Sequence, residues 1–199
     1  MLSATIAFLV LLNPFALFLY LEPVWTSLSH ENFLFVLFKA SLISFLIYAL
    51  FLFAGNALFQ KIFQIHFESF RIFGGIVVFS FAYFFIVKGQ KAFVQVKENL
   101  DDMASEIALP FMVGPATISL VVLMANDFGL GQGFAMLFTI MAINYLTLVI
   151  IKFIRDAITR KKFKIAFDKN MEVLLRLNGF FVGAIGVNMI ITGVNNLYF

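Results

Sequence analysis

The 199-residue chain has no cysteine, two histidines, one tryptophan and four prolines, and only 13% of its residues are charged. Without cysteine there is no disulfide framework, no thiol nucleophile and no Cys-ligated metal or iron–sulfur site. His30 and His66 fall between apolar runs, with no metal-ligand spacing around them. No glycine-rich phosphate loop is present. The serines inside apolar runs have no histidine or aspartate beside them to activate a hydroxyl. These absences argue against an enzyme and against a bound cofactor or metal. A soluble domain would be about a quarter charged and about half apolar. Here 62% of residues are hydrophobic and the mean hydropathy is +1.01. A water-soluble fold is excluded. The net charge of +3 and pI near 9.2 would suit nucleic acid in a soluble protein. In a membrane protein cations record topology instead, so no nucleic-acid partner is expected.

What is present is a series of long apolar runs: Leu2–Leu21, Phe33–Phe59, Ile72–Val87, Ile107–Ala125, Leu130–Ile151 and Val173–Val194. Each is near the roughly 20 residues that one membrane-spanning helix needs. None shows the ten-residue alternation of a membrane barrel. The first lacks a basic start and a small-residue cleavage site, and Pro14 interrupts it, so it reads as a retained span. The expectation is an all-α membrane protein of six transmembrane helices in a single domain over 1–199. The 29 phenylalanines are ascribed to codon bias rather than to an aromatic site.

Loops after spans 1, 3 and 5 must share one side of the membrane. They carry Lys88, Lys91, Lys97, Lys152, Arg155, Arg160, Lys161, Lys162, Lys164 and Lys169, against Lys61 alone on the other side. The positive-inside rule puts the basic loops in the cytoplasm and both termini outside, in the cell (inner) membrane. The segment Ile151–Asp168 mixes these cations with Phe153, Ile154, Ile158, Phe163, Ile165 and Phe167. Two readings fit it: an amphipathic helix on anionic lipid, or a solvated basic loop.

The second half of the chain echoes the first. Asn13-Pro14-Phe15-Ala16 in span 1 is matched 101 positions later by Gly114-Pro115-Ala116-Thr117 in span 4. Phe70-Arg71-Ile72-Phe73-Gly74 is matched 105 positions later by Leu175-Arg176-Leu177-Asn178-Gly179. Repeat 1 covers about 1–90, a linker about 88–106, and repeat 2 about 105–199. Three spans per half is an odd number, so the copies enter the membrane from opposite sides, an inverted-topology pattern found in secondary transporters. An interior proline removes a backbone hydrogen bond. Helices 1 and 4 are therefore expected to be broken near the midplane, with half-helix N-termini suited to a carboxylate and half-helix C-termini suited to an ammonium group. A small zwitterion matches that chemistry. Asn13, Pro14, Phe15, Ala16, Gly114, Pro115, Ala116 and Thr117 are the candidate substrate-binding residues. The plain alternative is two kinked helices.

Arg71 and Arg176 each follow a glutamate, Glu68 and Glu172, at same-face helical spacing. They are either interfacial anchors or latches on the broken-helix carbonyls. Gly74, Gly75 and Gly179 suit close helix packing, and Gly179 with Gly183 forms a Gly-x-x-x-Gly face for packing or dimerisation, so oligomeric state stays open. Asn144, Asn178 and Asn188 either bond neighbouring helices or line a cavity. Lys39, about six residues into span 2, can snorkel to the cytoplasm. Carboxylates lie only at span ends, as Glu22 and Glu106 do. That weakens the case for direct proton coupling and leaves the coupling ion, Na+ or H+, open.

The chain resembles the MarC family of six-span membrane proteins, which includes transporters of small neutral amino acids. The resemblance covers nearly the whole chain. It rests on Leu12-Asn13-Pro14-Phe15, Phe70-Arg71-Ile72-Phe73-Gly74-Gly75-Ile76, Ala108-Leu109-Pro110 followed by Gly114-Pro115, and Arg176-Leu177-Asn178-Gly179 running into Met189-Ile190. It implies transport of a glycine- or alanine-class substrate near the two breaks. The sequence departs from the family pattern at Ala16, Leu19 and Ala116, where glycine, proline and glycine are usual; added methyl groups there would narrow the site or shift its preference. Two alternatives remain: export of another small metabolite or a drug, and a non-transporting membrane subunit that binds a partner through the basic loop. Charge reversal in that loop is expected to change membrane orientation or lipid contact far more than substrate choice, as cysteine-accessibility mapping and a transport panel on the same variant would show.

Overall fold

In hydrocarbon every backbone N–H and C=O must find its partner within the protein, which leaves helices as the natural state of such apolar runs. The computed structural model describes residues 2–88 and 99–198, and all regular elements among them are helical. They are α1 (Leu2–Leu12), α2 (Pro14–Tyr20), α3 (Glu22–Ser27), α4 (His30–Ala57), a π-helical turn (Leu58–Ile62), α5 (Phe67–Lys88), α6 (Leu100–Glu106), a second π-helical turn (Ile107–Met112), α7 (Pro115–Ala157) and α8 (Lys161–Tyr198). The expected linker with Lys91 and Lys97 lies outside the described residues over 89–98.

Five stretches among the described residues are long and apolar enough to cross a membrane: Leu2–Ser27, His30–Gly55, Phe67–Val87, Pro115–Ala157 and Lys161–Tyr198. At 1.5 Å per residue, the 43 residues of α7 would reach about 65 Å, more than twice a hydrocarbon core of about 30 Å. Gly129 divides it into arms 115–128 and 130–157. Its φ of 76° belongs to glycine, and no atom stands within 4 Å of where a Cβ would sit. The glycine is needed there for its backbone, not for space.

The local signals at helix starts are ordinary ones. Ser29 accepts from the Asn32 N–H at 3.3 Å to begin α4. Asn99 accepts from the Asp101 N–H at 2.9 Å to begin α6, with Asp101 and Asp102 in the first turn favouring the dipole.

Helix α4 runs antiparallel to arm 130–157. Phe38 meets Tyr145 and Phe45 meets Phe138, each with ring centroids 6.3 Å apart, while Leu52 covers Gly133 near the far end. Lys152 Nζ lies 3.5 Å from His30 Nδ1, so the turns at 28–29 and 158–160 share one end of the molecule. Lys39 pairs with Asp101, drawing α6 toward that end. At the opposite end Asn196 donates to Glu68 at 3.1 Å.

The basic segment 151–168 is helical on both sides of its short turn, and α8 runs through it without a break into the last apolar run. Counting Lys152 and Arg155 with the loop proves too generous. Both sit on the last turns of α7; Lys152 is 4% exposed, bonded to Asp156 at 2.6 Å and stacked on Phe33. Arg155 grips Asp168 at 2.7 and 3.0 Å and lies 4.0 Å from the Trp25 ring centroid. Residue order marks these cations as following a hydrophobic run, but not that aromatic rings and carboxylates fold over them.

Helices α5 and α8 pack backbone to backbone. A Cβ on Gly75 would stand 2.6 Å from the Gly186 carbonyl oxygen, and one on Gly186 would stand 2.8 Å from that of Gly75. Gly179 and Gly183 face Ala82 on the same partner helix, so the Gly-x-x-x-Gly face is filled inside the chain. Many phenylalanines turn outward, among them Phe38, Phe53, Phe138, Phe153 and Phe181. An apolar outer surface is what hydrocarbon as solvent permits. Replacing Gly75 by valine should lower the melting temperature in detergent, with a cost of at least about 1–3 kcal/mol. The open-surface change Gly131→Ala, where a Cβ meets nothing within 4 Å, should move it far less.

Candidate functional site between two helix breaks

Pro14 has no N–H to give the carbonyl of Val10, four residues earlier. Asn178 on α8 supplies the missing donor, its Nδ2 bonding the Val10 oxygen at 3.1 Å. Between α1 and α2, Asn13 takes left-handed angles (φ 48°, ψ 73°), a conformation asparagine tolerates better than most residues. Its Oδ1 accepts the Ala16 N–H at 3.1 Å and so caps α2. Ala16 therefore no longer serves the carbonyl of Leu12.

The second break is held differently. Tyr48 on α4 donates its hydroxyl to the Met112 carbonyl at 2.6 Å. Val113 and Gly114 are extended, and α7 starts at Pro115. Thr117 Oγ1 accepts from the Gly114 N–H at 3.0 Å and donates to the Gly114 carbonyl at 2.9 Å. Gly114 has no side chain with which to cap the first turn of α7, so beyond the Gly114 N–H that Thr117 takes up, the positive end of that helix dipole has no side-chain cap among the described residues. Gly74 on α5 lets this turn approach closely, since a Cβ there would sit 3.1 Å from the Ala116 nitrogen.

The two breaks border one cavity of about 420 Å³. Asn13, Ala16, Gly114, Pro115, Ala116 and Thr117 all line it, so six of the eight candidate binding residues come together from positions a hundred apart. Pro14 and Phe15 do not line it: Pro14 begins α2, and Phe15 packs against the hydrophobic core. The rest of the wall includes Tyr20, Val77, Val78, Phe85, Phe111 and Val182. Nothing in their spacing sets these residues apart from the many other apolar positions of the chain.

Two polar atoms on this wall have no partner among the described residues. Asn13 Nδ2 and the Tyr20 hydroxyl are both buried and unbonded. Each such group costs about 1–3 kcal/mol while unsatisfied, and both belong to residues that line the cavity.

The other matched residues fall around the cavity rather than in it. Arg71 is buried and paired with Glu68 at 2.9 Å. Arg176 is exposed and donates to the Ile86 carbonyl at 3.4 Å. Neither guanidinium bonds a carbonyl of the breaks in these contacts. Gly75 and Gly179 lie in the α5–α8 contact. The three asparagines separate: Asn178 bonds the first break, Asn188 faces outward, and Asn144 is fully buried in α7. Replacing Asn178 by leucine should expose the unmet demand of the Val10 carbonyl and cost about 1–2 kcal/mol of stability in a detergent unfolding titration.

Residues 1–198 match the family model described as MarC family integral membrane protein. Similar proteins include a UPF0056 membrane protein of Pyrococcus horikoshii, 24% identical over 98% of this chain and 94% of the relative. The UPF0056 membrane protein YvbG of Bacillus subtilis is 30% identical over 80% of this chain and 77% of its own. A third, from Methanocaldococcus jannaschii, is 31% identical over 74% and 75%. No solved structure matches the chain. The chain belongs to the MarC family and is an integral, multi-pass membrane protein.

Proposed function

We propose that this MarC-family membrane protein is a secondary transporter of neutral amino acids across the cytoplasmic membrane. The glycine and alanine class implied by the sequence resemblance are the smallest members of that set. The observation that carries the reading is the cavity between the breaks, whose lining takes in both Asn13, with its unbonded Nδ2, and the first turn of α7. A carboxylate accepts from both, and helix N-termini favour anions. Leu11 and Leu12, at the C-terminal end of α1, line the same cavity. Their carbonyl ends offer the negative pole of a dipole to an ammonium group. A zwitterion completes both ends at once.

The element order supports two inverted halves. The run α1, α2–α3, α4, α5 is paralleled by α6 with its π turn, arm 115–128, arm 130–157 and α8. Pro14 and Pro115 open the second member of each run. In this reading the halves rock about the cavity, giving alternating access. The end that holds the 158–160 turn faces the cytoplasm, because the basic residues of α8 gather beside it. Lipid contact by Lys161, Lys162 and Lys164 on anionic headgroups belongs to the same arrangement.

Purified protein in liposomes should take up labelled neutral amino acids above the protein-free background when a gradient is imposed. Asn13→Leu should lower the rate by at least about tenfold while membrane insertion is unchanged. No uptake of any neutral amino acid under Na+, proton or substrate gradients would refute the transporter reading. Unchanged uptake by Asn13→Leu would refute the site.

A further inference from the structure

We infer that the cavity selects amino acids with branched or aromatic side chains, of leucine or phenylalanine size, over glycine and alanine. The inference rests on the transporter reading above and concerns which neutral amino acid the same site prefers. Gly74 packs against Ala116 at the level of the second break. Phe85 lies eleven residues further along α5, or about 16 Å at helical rise. Tyr20 lies seven residues after Asn13, about 10 Å along α2. The site thus has a polar end at the breaks and an aromatic end at Tyr20 and Phe85, with Phe111, three residues before Gly114, joining the two.

That far end is built as a unit. The Tyr20 ring stands 5.5 Å from Phe111 and 6.1 Å from Phe85, centroid to centroid. Tyr20 and Phe85 are each 6% exposed, so the cluster is not a lipid-facing accident. With the Val77 and Val78 side chains it makes an apolar sleeve, at whose open side stands the exposed Phe81, and the cavity's volume of about 420 Å³ falls within the roughly 300–1,000 Å³ of ligand pockets.

A ligand whose side chain is hydrogen or methyl reaches the polar end only. It leaves the sleeve to water, and a water needs two to four polar partners that rings and valines do not supply. Tyr20 offers one hydroxyl. A larger apolar side chain displaces that water and covers the rings, while its own carboxylate and ammonium stay at the breaks. The methyl groups of Ala16 and Ala116 add apolar surface at the junction between the two ends. Space, polarity and the placing of aromatic rings all favour the same ligand.

The test is a concentration series of labelled glycine, alanine, leucine and phenylalanine in proteoliposomes, read as half-saturation. Leucine or phenylalanine should saturate at least tenfold below alanine. In Val77→Phe, which fills the sleeve, that order should reverse, the half-saturation for leucine and phenylalanine rising relative to that for alanine. Because that variant can misfold, thermal stabilisation of the unaltered protein in detergent by each amino acid is measured alongside. Leucine or phenylalanine should raise the melting temperature at concentrations where alanine does not. Uptake and stabilisation led by glycine or alanine would overturn the inference and leave the transporter reading standing. Uptake of none of the four would instead remove the reading on which the inference rests.

Discussion

A backbone amide or carbonyl has nowhere to turn in hydrocarbon, and this fold is arranged around meeting that demand where proline prevents the helix from doing so. At the first break the donor missing at Pro14 comes from Asn178, 168 residues away in sequence. At the second, the Met112 carbonyl takes the Tyr48 hydroxyl, and Thr117 folds back on Gly114. The repairs by Asn178 and Tyr48 each require a neighbouring helix at fixed height and rotation. The breaks therefore do more than bend two helices: they dictate where α4 and α8 must stand. The C-terminal end of α1 and the N-terminus of α7 line a common cavity whose lining, among the described residues, holds no charged side chain.

Close approach is the second requirement, and glycine meets it. Gly74 and Gly75 are adjacent in sequence but serve different neighbours, the first the start of α7 and the second the backbone of α8 at Gly186. A side chain at either would push α5 away from one contact. If α5 moved from α7, Ala116 would lose its support and the second break would be free to shift. If it moved from α8, Asn178 would lose its register against Val10. The apolar packing thus holds the polar geometry in place, since a hydrogen bond near 3 Å tolerates little drift.

Much of this was legible in the residues. Prolines in apolar runs stand out because they are rare and their effect on a helix is local, so Asn13-Pro14 and Gly114-Pro115 mark the breaks before any coordinates are known. The aromatic wall is different. In a chain with 29 phenylalanines, Phe85 and Phe111 carry no contrast with the outward-facing Phe53 or Phe138. Only their shared contact with the Tyr20 ring of α2 distinguishes them. Gly129 is the same kind of case. A lone glycine in an apolar run gives no sign of its positive φ, while its neighbour Gly131 is regular helix. Arg155 and Lys152 also read as loop charges because their partners, Trp25, Asp168 and His30, lie far away in sequence.

These cations also help to hold the walls of the cavity in place. Arg155 joins the end of α7 to α8 through Asp168 and lies on Trp25 of α3, whose indole N–H bonds the Phe18 carbonyl of α2 at 3.0 Å. Phe18 in turn meets Phe167 of α8 edge-on at 6.4 Å. The half-helix that carries Asn13 and Tyr20 is thus tied at its lower end to the arm-and-helix pair behind it. The second half-helix, arm 115–128, is held along its length instead: Thr117 bonds Gly114 and Gly74 meets Ala116 at its start, and the buried Val121, Val122 and Met124 pack into the bundle, with Gly55 against Val122, before Gly129 turns the chain. One wall of the cavity is thus held by a chain of polar and aromatic contacts and the other by close apolar packing, two different answers to the same demand that a broken helix stay in place.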